Sequence, residues 1–354
     1  MKDLGLLSTF LGMSVTFFEQ YCEISQRAYT EQLVERYYEQ WYPIFPEGQD
    51  LPLPPNAMEL LAHMSYGADS PLDEQFSQWF TDFPYRSVVG ALLYLAMNTR
   101  PDIAFPVGLL ARYGHNITWN ACLCASWLLS YVSSTTHLSI QFEAGENPDL
   151  HMFCDSDWAS DKVNRRSCAA YIAFMCRGPI AWSSKLMPTI CTSSGEAEYG
   201  SLYLCTQEVC WLRGLVEFLE DSLLEPTPVF MDNTAAIQLA YNPVFHARTK
   251  HIDTKVHWLR QMYADWDDSA THPEEEIPTR VVLPAPSQSR PKATLFHVRS
   301  ATNIADLPSK VNAEEGFVEL RSRMLGDTKE ASSDVPISDT QPARRLPEGA
   351  PKKP

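Results

Sequence analysis

Two apolar runs in this chain end in an acid: His151-Met152-Phe153-Cys154-Asp155 and Pro228-Val229-Phe230-Met231-Asp232. Between them, Ser194-Gly195-Glu196-Ala197-Glu198-Tyr199 sets a third carboxylate at the head of a helical pattern. Acids brought together from strand ends and a helix start form an all-oxygen donor set, which suits a hard divalent cation such as Mg²⁺. Two such ions around one phosphate would support phosphodiester hydrolysis, so the spacing points to a metal-dependent nuclease. With no thiolate or paired imidazole in the set, Mg²⁺ or Mn²⁺ is the expected ion and Zn²⁺ is not.

Periodicity separates Glu198 from its neighbour Glu196. From Glu198, the positions Leu202, Cys205, Val209, Leu212, Val216 and Leu219 advance by four and three residues, the inward stripe of an amphipathic helix. Glu198 heads that stripe. Glu196 lies about 200° away on the helical wheel, which puts it in solvent or in the first turn, where an acid suits the helix dipole. A lone helical Glu is commonly surface charge; the strand-end acids on either side make this one a ligand candidate.

Elements that could carry these acids follow from the surrounding pattern. Strands are predicted near residues 150–155, 169–176 and 180–192, a helix over 196–220, a strand at 228–232, helices at 233–241 and 249–263, and a strand at 294–298. Three strands followed by alternation describe an α/β fold, a mixed sheet with flanking helices. Upstream, alternating runs at 9–15 and 22–25 predict a hairpin, 29–38 a helix, and 85–97, 102–113 and 118–133 further helices. Residues 43–84, with Pro43, Pro46, Pro52, Pro54 and Pro55, read as an irregular linker. The acidic, proline-rich stretch 264–292 reads as a mobile loop, and the Ser-, Pro- and charge-rich tail as disordered from about residue 327.

The residues around the acids resemble the ribonuclease H domain of copia-type LTR retrotransposon Pol polyproteins. The likeness runs through Cys154-Asp155-Ser156-Asp157-Trp158-Ala159, Arg165-Arg166-Ser167, Ile180-Ala181-Trp182-Ser183-Ser184-Lys185, Glu196-Ala197-Glu198-Tyr199 and Asp232-Asn233-Thr234-Ala235-Ala236-Ile237. It continues in Lys250-His251-Ile252-Asp253 and ends in Asn303-Ile304-Ala305-Asp306-Leu307-Pro308-Ser309-Lys310. It implies a ribonuclease H-like mixed sheet, Asp155, Glu198, Asp232 and Asp306 as catalytic and metal-binding acids, and endonucleolytic cutting of the RNA strand of an RNA–DNA hybrid. Two Mg²⁺ ions, replaceable by Mn²⁺, are implied with it, Asp155 bridging both.

Upstream, Met1-Lys2-Asp3-Leu4-Gly5, Phe10-Leu11-Gly12 and Ser25-Gln26-Arg27-Ala28-Tyr29 are similar to the end of the same family's reverse transcriptase domain. Tyr85-Arg86-Ser87-Val88-Val89-Gly90 and Thr99-Arg100-Pro101-Asp102 are similar to the helical segment that joins polymerase to nuclease. The implied organisation is a truncated reverse transcriptase remnant and linker at 1–84, connection-like helices at 85–147, a ribonuclease H domain at 148–312 and a tail at 313–354. No Tyr-x-Asp-Asp occurs in the chain, so it is not expected to polymerise on its own.

The net charge of −16 argues against a nucleic-acid partner, because phosphate binding normally needs a basic face. Its distribution weakens that objection: residues 1–147 carry 16 acids and 6 bases, whereas 148–263 carry 13 and 10. Lys162, Arg165, Arg166, Arg177 and Lys185 are candidates to face phosphate, against the equal alternative of solvated hairpin charge. The nine cysteines are scattered with no CxxC pair, as expected of core residues in a reducing compartment. No apolar run reaches about 20 residues and no signal pattern opens the chain. An intracellular protein is expected, cytoplasmic in a virus-like particle or nuclear, with hybrid and other parts of the polyprotein as partners and no membrane.

His246, His251 and His257 are five and six residues apart, which does not set three imidazoles on one helical face. Packing is their default role, with His251 a possible auxiliary for product release or phosphate binding. Pro308-Ser309 departs from the family's hydrophobic-Thr pair. If a helix begins at Asn303, Pro308 falls about a turn in and Asp306 is only loosely placed. Two other readings fit the same residues: a hybrid-binding module without turnover, and the remnant of a decayed element.

Overall fold

The computed structural model describes residues 5–62, 74–144, 150–220, 225–241, 258–259, 262–263 and 292–327. The chain opens on a meander of β1 (Thr9–Phe10), β2 (Met13–Phe17) and β3 (Tyr21–Ser25), followed by α1 (Arg27–Arg36) and the short α2 (Tyr38–Trp41). Helices α3 (Ala57–Ala62), α4 (Glu74–Asp82), α5 (Tyr85–Asn98), α6 (Ala104–Ala111) and α7 (Trp119–Ser134) come next, then β4 (Leu138–Glu143), which pairs antiparallel with β3. The irregular linker predicted over 43–84 is corrected here. Leu51, Leu53, Ala57 and Leu61 are buried, and Pro54 and Pro55 precede α3, where a missing N–H costs a helix nothing.

Hydroxyls spaced four apart on α7 strap this stretch down. Ser126 donates to the Gln40 carbonyl at 2.7 Å, Ser130 to those of Phe45 and Glu47 at 3.2 and 3.0 Å, and Ser134 to that of Gln49 at 2.9 Å. The carbonyls of a chain with few amide partners of its own are thereby satisfied.

The second sheet contains β5 (His151–Asp157), β6 (Cys168–Met175), β7 (Gly178–Leu186), β8 (Thr227–Met231) and β9 (Ala293–His297) in the order β7-β6-β5-β8-β9. β5, β6 and β7 are antiparallel, while β5, β8 and β9 run parallel. The sequence pattern carried β7 on to residue 192; the strand stops at Leu186, just before Pro188, which cannot donate to a ladder. Helix α8 (Ser194–Glu220) covers one face and α9 (Thr234–Tyr241) follows β8. Helix α10 (Glu314–Ser322) and β10 (Gly326–Asp327), which pairs with β4, were not anticipated. Most of the helix expected at 249–263, the insertion at 264–291 and the tail beyond 327 lie outside the described residues.

Side-chain alternation on β5 explains the layering. Met152 and Cys154 pack with Leu202, Cys205 and Val209 of α8, whereas Phe153 joins Ile172, Ile304 and Leu307 in a core that continues through α5, α6 and α7. The inward stripe on α8 holds as far as Val216 but fails at Leu219, which is 68 % exposed. A helix of 27 residues is about 40 Å long, more than a nine-residue strand reaches, so its last turn overhangs the sheet. No helix of the described residues is long and apolar enough to cross a membrane.

Among the described residues, the most buried ion pair lies among the N-terminal helices. Arg100 grips both oxygens of Asp102 at 2.9 and 2.8 Å and also donates to Thr135, with Arg100 2 % and Asp102 0 % exposed. Burial works against ionisation of Asp102, yet the Arg100 guanidinium holds the carboxyl below its ordinary range. Asp102→Ala should strand that guanidinium and cost about 3–5 kcal/mol, read as a shift in the denaturant midpoint. A loss below 1 kcal/mol would mean that the pair is not the clamp described.

Candidate metal centre

Asp155 sits near the carboxyl end of β5, on the strand that pairs with both β6 and β8, and is 2 % exposed. Asp232 directly follows the last residue of β8, and the adjoining Asn233 caps α9 by accepting from Ala236 N at 3.0 Å. Glu198 stands in the first turns of α8, and Ser201, one turn on, donates to the Asp155 carbonyl at 2.6 Å and so pins the helix to the strand. Ligand atoms of Asp155, Glu198 and Asp232 lie within 4.8 Å of one another. The separation of Glu196 from Glu198 drawn from periodicity agrees with this geometry. Glu196 accepts from Thr192 N and Oγ1 at 2.7 and 2.8 Å while its own N–H donates to Ser193 Oγ at 3.2 Å, a reciprocal helix cap.

Asp306 approaches from the other face of the sheet, near enough for the Asp155 charge to act on it, but it is not among the three acids whose ligand atoms lie within 4.8 Å of one another. Asn303 donates to the Cys154 carbonyl at 3.1 Å and caps a single 3-10 turn, Ile304–Asp306, by accepting from Ala305 N at 3.2 Å. The longer helix expected from Asn303 does not form. Pro308 lies in the turn after Asp306, not within a helix; it offers no N–H to propagate one, and the N–H groups of Ser309 and Lys310 turn back to the Asp306 carbonyl. Asp306 is therefore fixed in place, 7 % exposed.

Three partners of these acids were not picked out from sequence. Ser309 Oγ donates to Asp155 Oδ2 and Ser300 Oγ to Asp232 Oδ2, each at 2.5 Å. Lys310 Nζ lies 2.9 Å from Asp306 Oδ2 and 3.7 Å from Asp155 Oδ2. The one available signal was spacing, since Lys310 follows Asp306 by four residues and a single turn brings such positions together. Burial alone would lower the Lys310 pKa, but Asp155 and Asp306 outweigh it and raise it.

Electrostatically the cluster is short of positive charge. Burial, reinforced by the Asp155 and Asp232 charges, pushes Glu198 up to about 9. Burial and then Asp155 push Asp306 up to about 7, against the pull of Lys310. Glu198 Oε2 and Asp306 Oδ1 are buried without a hydrogen-bond partner, which is costly unless something positive or protic completes them. Orphaned carboxylate oxygens in an all-oxygen donor set fit Mg²⁺ or Mn²⁺. Asp157, on the same strand, is also raised by burial but is outside the cluster.

The basic candidates lie at the surface. Lys162, Arg165 and Arg166 are exposed on the β5–β6 connection, and Lys185 is exposed on β7. Asp161 shapes that connection by accepting from Val163 N and Asn164 N at 2.9 and 3.0 Å, and Arg165 takes a left-handed φ of 55°. Arg177 is not with them. It sits in the tight turn between β6 and β7, with Cys176 and Arg177 at φ 49° and 63° as such two-residue hairpins require, and pairs with Glu143 at 2.8 Å. His246, His251 and His257 fall outside the described residues.

No protein-family profile matches the chain. It is similar to the retrovirus-related Pol polyprotein from transposon TNT 1-94 of Nicotiana tabacum, 33 % identical over 270 residues, covering 75 % of this chain and 19 % of that protein. The retrovirus-related Pol polyproteins from transposons RE1 and RE2 of Arabidopsis thaliana are 38 % identical over 176 residues and 34 % over 263. Those matches cover 50 % and 73 % of this chain. The chain spans 12 % and 17 % of the length of these two relatives.

Proposed function

The chain belongs to the copia-type retrotransposon Pol polyproteins, and we propose that its second sheet with α8, α9 and the Asn303–Lys310 segment is a ribonuclease H-like nuclease that cuts the RNA strand of RNA–DNA hybrids. One observation carries the reading: Asp155, Glu198 and Asp232, from two strand ends and a helix, converge within 4.8 Å with buried, orphaned carboxylate oxygen. Asp155, Glu198, Asp232 and Asp306 would hold Mg²⁺, which supplies Lewis-acid stabilisation and an activated water when bound.

The chain's own residues prepare that site. Ser309 and Ser300 each occupy one carboxylate oxygen, of Asp155 and Asp232, which restrains the two side chains and leaves the second oxygen of each free of these hydroxyls. Such supporting hydrogen bonds orient ligands in metal sites generally. Lys310 offsets part of the mutual repulsion. Exposed Lys162, Arg165, Arg166 and Lys185 supply phosphate contacts, and selection for the RNA strand rests on the 2′-hydroxyl and minor-groove shape.

The test is cleavage of a labelled hybrid by the full chain. Mg²⁺ or Mn²⁺ should support it, Zn²⁺ should not, and cleavage that survives exhaustive chelation sinks the assignment. The Lys310 ammonium bridging Asp155 and Asp306 favours a second reading, a module that grips hybrid without turnover. Tight binding of hybrid with no cleavage in any divalent cation would select it.

A further inference from the structure

The chain does not end at the metal centre but runs from Asp306 back onto the N-terminal helices. Asn312 Nδ2 donates to the Asp306 carbonyl at 3.0 Å and to that of Lys310 at 3.2 Å. Leu307, Lys310 and Phe317 then line one crevice with Leu53, Asp102 and Phe105. In α10, Arg321 Nη1 donates to Tyr131 Oη at 3.1 Å, and the Tyr131 hydroxyl donates to Asp102 Oδ2 at 2.6 Å. The Phe317 ring meets the Tyr131 ring edge-on at 6.0 Å, and β10 completes the attachment by pairing with β4.

The Tyr131–Arg321 link is not needed to balance Asp102, whose two oxygens Arg100 already holds. What it adds is register between α10 and α7. Buried polar groups that specify one alignment of packed elements are a known use of such bonds. A slip of α10 on α7 would carry with it the turn that sets Asp306 and Lys310 against Asp155. On the sheet side only Asn303 and Ser309 make hydrogen bonds from this turn to β5 among the described residues.

We propose that Tyr131 and Arg321 are positioning residues for the metal centre, and that the N-terminal helices are a working part of the site through them. The inference rests on the nuclease reading above. Tyr131→Phe in the full chain should raise the Mn²⁺ concentration for half-saturation roughly threefold to thirtyfold, the range over which coupled positions act at a distance. The Mg²⁺ needed for half-maximal cleavage should rise by the same factor, while hybrid affinity without metal stays unchanged. Arg321→Met should reproduce the effect and Arg321→Lys should recover part of it.

Ser130→Ala is the control. It lies on α7 beside Tyr131, but among the described residues its hydroxyl bonds only to the Phe45 and Glu47 carbonyls, so the substitution should lower Tm without moving Mn²⁺ binding. The proposal is overturned if Tyr131→Phe leaves Mn²⁺ half-saturation unchanged, or if Ser130→Ala raises it equally at the same loss of Tm. A wild-type chain that binds no Mn²⁺ overturns the nuclease reading and this proposal together. Wild-type binding that Tyr131→Phe does not alter overturns this proposal alone.

Discussion

Asp155→Asn and Asp232→Asn are each expected to lower single-turnover cleavage of hybrid on the order of a thousandfold, the upper part of the range for losing one electrostatic contact to a transition state. Asparagine keeps the volume and can still accept from Ser309 or Ser300, so the fold is retained and only the charge is lost. Glu198 and Asp306 are raised first by burial and then by neighbouring carboxylates, Asp155 foremost, so the two acids sit in a cluster poor in compensating charge. Removing one charge should therefore leave Tm of the metal-free chain equal or higher. A fall in activity with a matching fall in Tm would indicate unfolding rather than loss of a ligand. Glu198→Gln belongs with the severe variants. Glu196→Gln and Asp157→Asn should cost less than about tenfold, since Glu196 caps α8 and such caps are worth about 1 kcal/mol in stability. Equal losses from Glu196→Gln and Glu198→Gln would contradict the assignment of the two helix faces.

Without metal, the chain should lose stability as pH rises. Glu198 and Asp306 have folded-state pKa values of about 9 and about 7, against ordinary values near 4 when unfolded. Between those limits the folded chain holds protons that the unfolded chain has released, so stability falls as pH rises. The loss begins near pH 4, is complete for Asp306 above about pH 7 and for Glu198 above about pH 9. A divalent cation bound to the ionised acids reverses it, and binding to the folded state alone adds stability by mass action. In chelator, Tm should fall steadily from pH 5 to pH 8.5. Millimolar Mg²⁺ should raise Tm little at pH 5 and strongly at pH 8.5. A metal-free Tm that rises with pH would show that these two carboxyls are not held in a charge-poor cluster.

Some of these residues were legible in the sequence and some were not. The apolar runs ending in Asp155 and Asp232 marked both acids, Asp232 directly after β8 and Asp155 beyond the last parallel rung to β8, although β5 itself runs on to Asp157. Glu198 was marked by standing on the stripe that α8 buries, while Glu196 stood off it. These signals are local, set by the two-residue period of strands and the 3.6-residue turn of helices. The strand Leu138–Glu143 carried such alternation too, in Leu138, Ile140 and Phe142, and could have been read.

Nothing local marks Ser309 as a partner of Asp155, 154 positions away, or Tyr131 as a partner of Arg321 across 190 positions. Serine and tyrosine hydroxyls bond wherever packing brings an acceptor, so their partners follow from how layers stack and not from spacing. The same holds for the last turn of α8, where an unbroken apolar stripe ran past the edge of the sheet and left Leu219 exposed. Sequence by itself marked three acids that the structure brings together, Asp155, Glu198 and Asp232, and the elements that carry them. Only the tertiary structure decided that a lysine and two hydroxyls complete the set, and that the N-terminal helices grip the segment bearing Asp306, because those contacts join residues far apart in the chain.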